Sequence, residues 1–144
     1  MADEQTKPSG AAPFSFDNFT TPEKQEEGHE VHIRLPDGSK SGLVIRIAGP
    51  DSKRRKRVSQ EAMDSRLKAG KGRGVKMTAA ELESSNLDEM VAATISWQFP
   101  DGFDGPPCTP DEVRKIYLRH TDIYQQVFDA GNDLANFTQR SQTT

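Results

Sequence analysis

The run Glu30-Val31-His32-Ile33-Arg34-Leu35 alternates apolar and polar side chains, and Leu43, Ile45 and Ile47 alternate with Val44 and Arg46 shortly afterwards. A period of two places Val31, Ile33 and Leu35 on one face of a strand and His32 and Arg34 on the other. Pro36-Asp37-Gly38-Ser39 between the runs is turn chemistry. The pattern specifies a β-hairpin over residues 30–48 with one apolar face. A lone hairpin is marginal in water, so that face must be covered by another part of the chain.

Helical periodicity supplies the cover. Leu87, Met90, Val91, Thr94 and Ile95 recur at i, i+3, i+4, i+7 and i+8, one stripe of a helix that ends near Trp97 and Phe99, before Pro100. Leu87, Val91 and Ile95 are expected to face Val31, Ile33 and Ile45. Upstream, Thr78-Ala79-Ala80-Glu81 has capping-box spacing, and Asn86-Leu87-Asp88-Glu89 repeats it, so Ser84-Ser85-Asn86 reads as a break. Thr109-Pro110-Asp111-Glu112 is the strongest local start signal, with a cap, a first-turn proline and a box-closing glutamate. Its helix carries Val113, Ile116, Tyr117 and His120 on one side. Thr121-Asp122 restarts a last helix with the stripe Ile123, Val127, Ala130, Leu134 and Phe137.

The fold class is therefore α+β: an N-terminal hairpin packed by about four helices, with a mainly helical C-terminal half. Hydrophobic residues are only 33% of the 144, below the roughly 45–50% apolar share of an average domain. The core is expected to be small and part of the chain unfolded. Residues 1–28, rich in proline, glycine and polar side chains, read as a flexible tail. Within it, Phe14, Phe16 and Phe19 mark either a piece that docks on the domain or a partner-binding segment. Residues 29–138 form a single domain: hairpin 30–48, basic helix 52–69, linker 70–77 and helical part 78–138. Residues 139–144 are expected to fray.

Charge is segregated. Residues 51–77 hold 10 of the 19 Lys and Arg but 3 of the 22 Asp and Glu, a net of +7, while residues 78–144 carry −7. The basic patch Lys53-Arg54-Arg55-Lys56-Arg57 opens a helix, where cations oppose the macrodipole. This marks either frayed structure or a role for the charge. Phosphate contact is one such role. No readable recognition helix follows, and aromatics do not interleave with the patch as single-strand binders prefer. Nucleic acid is therefore not the expected partner.

Catalytic and metal chemistry find little support. Cys108 has no histidine near it in sequence, and His29, His32 and His120 are scattered. Gly70-Lys71-Gly72-Arg73-Gly74 is not a phosphate loop, and the Asp101–Gly105 loop lacks EF-hand spacing. The expectation is a non-enzymatic protein with no cofactor and no metal. No apolar run approaches the roughly 18–20 residues of a membrane span. The N-terminus lacks the basic and apolar regions of a secretory signal, and the one cysteine excludes an intramolecular disulfide, so a reducing cytoplasm is the default compartment.

The C-terminal half resembles the tail assembly chaperones of long-tailed bacteriophages. The resemblance rests on Ile95-Ser96-Trp97, a Gly/Pro loop, Cys108-Thr109-Pro110-Asp111-Glu112-Val113, Tyr117-Leu118, Ile123-Tyr124-Gln125-Gln126-Val127 and Asn136-Phe137-Thr138, and spans roughly residues 30–138. The chain departs from the family pattern at Glu112, where Asn is common, at Leu134, where Arg is common, and at His120-Thr121-Asp122, where many relatives have Pro. What the resemblance implies is a chaperone in the host cytoplasm, absent from the mature virion. It would bind the tape measure protein, help recruit tail tube protein, and leave self-association open. Tyr124 and Phe128 lie off the stripe of the last helix, more aromatic surface than one short helix needs for its own core. With Trp97, Tyr117 and Phe137 they are the partner-binding candidates. The alternatives are a small nucleic-acid-binding or regulatory protein using residues 53–57, and a structural tail or connector component of the virion.

Overall fold

The computed structural model describes residues 13–69 and 77–138. It is an α+β fold in which helices cover one face of an antiparallel sheet. Strands β1 (His29–Arg34) and β2 (Lys40–Ile47) form the expected hairpin, with Val31 opposite Ile45. Among the described residues five α-helices surround it, α1 (Pro22–Glu27) before the hairpin and α2 (Lys53–Lys68), α3 (Ala79–Ala93), α4 (Pro110–Arg119) and α5 (Thr121–Gly131) after it. Short 3-10 turns span Phe16–Asn18 and Leu134–Phe137.

The sheet has a third strand that the helical period concealed. β3 (Thr94–Gln98) pairs with the free side of β2, placing Trp97 opposite Ile45 and making β2 the central strand. Residues 94–98 were expected to continue the helix, but α3 stops at Ala93. Thr94, Ile95 and Trp97 are β-branched or aromatic and suit a pleated surface. Over so short a window they fit either period. The register shifts between Arg46 and Ile47, opposite Ser96 and Thr94, so Ile95 is the extra residue of a bulge. Ile95 consequently leaves the line of Leu87 and Val91 and lies against Gly28. A Cβ on Gly28 would stand 2.7 Å from Ile95 Cδ1, and its φ of +87° favours glycine on conformational grounds as well.

Other boundaries also move. α3 runs unbroken through Ser84-Ser85-Asn86, because the box at Thr78 is complete: Thr78 Oγ1 accepts from Glu81 N and Glu81 Oε1 from Thr78 N. A few tenths of a kcal/mol in propensity at each mid-helix Ser or Asn does not outweigh burial of Met90 and Val91. α5 ends at Gly131, not at Phe137, and Asp133 starts a separate turn by accepting from Ala135 N. Leu35 leaves the strand for the hairpin loop, where its N–H donates to Ser39 O, and is exposed.

The described part of the expected tail is folded. Thr21 caps α1 by accepting from Lys24 N, and Pro22 opens the helix. Gln25 is fully buried. Its amide donates to Thr20 Oγ1 and Asp51 Oδ2 and accepts from Asp51 N, while its backbone carbonyl takes Gly49 N. One side chain thus pins residues 20–27 to the loop before α2. The flexible-tail expectation is corrected for residues 13–28. Residues 1–12, most of the 70–77 linker and the C-terminal residues 139–144 lie outside the described residues.

The core joins Val31, Ile33, Leu43, Ile45 and Ile47 from the sheet to Met90 and Val91 of α3, Val113 and Tyr117 of α4, and Val127 of α5. α2 is fastened by a cation. Arg55 is only 3% exposed; it donates to Ala48 O, Gly131 O and Asn132 Oδ1 and meets Glu89 at 2.6 Å. Removing one member of such a buried pair costs about 3–5 kcal/mol. Arg55→Ala is therefore expected to lose about that much stability, read as a lower urea midpoint; an unchanged midpoint would show that the network is dispensable.

His29, half-buried at the start of β1 with its ring edge-on to Phe137, adds a pH dependence. Burial first, and then the charge of Arg46, lowers its pKa below the ordinary 6.5. The unfolded chain therefore binds the proton more readily than the folded one. Stability is complete above about 6.5 and declines as pH falls through that value toward the folded pKa. Melting at about pH 8 and about pH 5 should show a smaller acid-induced drop for His29→Gln than for the parent.

Candidate functional site

α5 is apolar on two sides. Val127 is fully buried and Ile123 and Ala130 pack partly buried against the core, whereas Tyr124 and Phe128, four residues apart, turn toward α3 and α4. The three helices leave an open groove of about 760 Å³ between them. Leu87 of α3, Tyr117 and Leu118 of α4, and Tyr124 and Phe128 of α5 supply its apolar lining. Tyr124 stands 5.7 Å from Tyr117 and 5.9 Å from Phe128 between ring centroids, forming an aromatic row.

Tyr117 is the floor of the groove. It is 1% exposed, and its hydroxyl shares a 2.7 Å hydrogen bond with Thr94 Oγ1, where α3 passes into β3. Burial holds its phenol protonated far above the usual range, so it serves as a fixed neutral surface. Tyr124 is half-buried, and burial, then the carboxylates of Glu83 and Glu89, raise its pKa too. Leu118 projects from the rim, 63% exposed, and Arg114 meets Asp88 at 2.8 Å between α4 and α3.

Of the five partner-binding candidates, the structure gathers Tyr117, Tyr124 and Phe128 in this groove. Phe137 is fully buried against His29, and Trp97 is on β3, where its indole donates to Pro106 O and its ring meets Phe99. Leu118 and Glu83 are not among the partner-binding candidates read from the sequence. Leu118 had a signal, an apolar residue off the stripe of its helix; Glu83 had none. Phe14, Phe16 and Phe19 are exposed, with rings 5.2–6.3 Å from one another.

The basic patch does not act as a unit. Arg55 is buried, Arg54 donates to the Ala92 and Thr94 carbonyls, and Lys53, Lys56 and Arg57 stay exposed. The helix N-terminus itself takes an anion from a neighbouring element: the Glu26 carboxylate of α1 accepts from the Lys53 backbone N–H at 2.7 Å, which favours the macrodipole that the cations oppose.

Cys108 is half-buried, and burial pushes its thiol pKa up, the opposite of nucleophile activation. Among the described residues, no three His, Cys, Asp or Glu side chains are placed to share a metal ion. No helix among them is long and apolar enough to cross a membrane. Comparison with protein-family models, curated proteins and solved structures produced no match.

Proposed function

We propose that this protein is a non-enzymatic assembly chaperone of the phage-tail type, which holds an apolar helix face of the tape measure protein and helps recruit tail tube protein in the host cytoplasm. The supporting observation is the open groove between α3, α4 and α5, floored by Tyr117 and lined by half-buried Tyr124 and Phe128. An amphipathic helix is the ordinary occupant of such a groove, its apolar residues spaced to match the aromatic row. A long helical protein awaiting enclosure exposes such faces and aggregates unless they are covered. The resemblance of residues 30–138 to tail assembly chaperones supplies the identity of that helical protein. A nucleic-acid reading draws less support, because Arg54 and Arg55 are engaged within the chain.

Coexpression with the neighbouring tape measure protein tests the proposal. The parent should keep the tape measure in the soluble fraction. Tyr124→Ser with Phe128→Ser removes two aromatic contacts worth together about 2 kcal/mol or more, some thirtyfold in affinity, and should return most of it to the pellet. Circular dichroism and melting must first show the variant folded. Equal solubility with the folded variant would exclude this groove as the binding face. Equal solubility with no chaperone would remove the function. Abundance of the protein in purified virions would favour a structural component instead.

A further inference from the structure

The groove has a charge asymmetry that the apolar row does not explain. Its two outer walls, α3 and α5, carry Glu81, Glu83, Asp88, Glu89, Asp122 and Asp129 and no lysine or arginine. The cations of α4 do not balance them: Arg114, which lines the groove, is held by Asp88, Lys115 is held by Glu112, and Arg119, exposed in the last turn of the helix, is not among the lining residues. Within the walls, Glu89 is matched by Arg55, and Glu81 closes the capping box. Glu83 lines the groove itself, close enough to Tyr124 to raise the phenol's pKa, and no ion pair engages it among the described residues. On the opposite wall Asp129 accepts from Gln125, another lining residue, which sets a second carboxylate at the rim.

We propose that the groove selects a cationic amphipathic helix, one whose apolar stripe seats on Leu87, Tyr124 and Phe128 and whose flanking lysines or arginines meet Glu83 and Asp129. The inference rests on the groove being the docking face and adds the chemistry of the occupant. A helix with acidic flanks would bring like charges against the walls at the moment water leaves, which disfavours the wrong partner more than it costs the right one. The cationic flanks also gain from the faces of Tyr124 and Phe128, since ring quadrupoles attract cations. The net −7 of residues 78–144 extends the same preference to longer range, where it steers encounter and is screened by salt.

Two synthetic helical peptides test this with the full chain. They share one leucine and phenylalanine stripe and differ only in having lysine or glutamate at every flanking position. Fluorescence anisotropy at low and high salt should show the lysine peptide binding about tenfold tighter or more at low salt, with the gap narrowing as salt rises. Glu83→Lys should shrink the gap without changing the melting temperature, and Tyr124→Ser with Phe128→Ser should weaken both peptides. Equal binding of the two peptides overturns the charge selection and leaves helix docking intact. Binding of neither removes the docking face, and the selection with it. Lysine-peptide binding that survives the double aromatic substitution also overturns the proposal, because it places the cationic peptide on acidic surface outside the groove.

Discussion

The Arg55 guanidinium holds together parts of the chain that hydrophobic packing alone would leave loosely arranged. Its donors reach Ala48 just past β2, Gly131 at the end of α5 and Asn132 just past it, and Glu89 on α3. Desolvating a guanidinium is costly, and the cost is offset here because an ionised carboxylate and three oxygens converge on it. A small, poorly apolar core gains from such a fastening because it fixes geometry as well as energy. The groove lies between α3, α4 and α5, and Arg55 sets where two of those helices sit relative to the sheet.

Much of this architecture was legible in the residues, and the failures share a cause. The hairpin and the starts of α3 and α4 follow from alternation and capping, which are local. β3 did not follow, because Thr94-Ile95-Ser96-Trp97-Gln98 is compatible with both periods and the deciding partner, β2, is some fifty residues away. α1 escaped for a similar reason: polar Gln25 looks like tail material until Asp51 and Gly49 complete its hydrogen bonds. Leu134 and Phe137 continued a helical spacing that Gly131-Asn132-Asp133 interrupts.

The site was legible in one respect. Tyr124 and Phe128 were surplus to the stripe of their helix, and the structure places them in the groove. Phe137 and Trp97 are equally aromatic, yet the first is consumed by the core and the second by Pro106 and Phe99. Aromatic character alone does not separate an anchor from a core residue; the face of the helix does. Basic residues teach the same lesson. Five consecutive cations look like one surface in a linear sequence, but a helix distributes them around its axis, so one is interior, one caps carbonyls and three meet solvent.

The placement of Tyr117 beneath the groove has an optical consequence. The chain has two tyrosines, Tyr117 and Tyr124, and both belong to the groove, while its one tryptophan, Trp97, is outside it on the strand that begins at Thr94. Tyrosine emission therefore arises from the groove alone, and tryptophan emission from the sheet. Because Tyr117 is hydrogen-bonded to Thr94, at the start of Trp97's strand, a displacement of the groove floor is carried into the tryptophan's surroundings. The unlabelled protein thus contains two chromophore sets with different addresses: excitation at the long-wavelength edge reports on the sheet through Trp97 alone, whereas shorter wavelengths excite the tyrosines of the groove together with it.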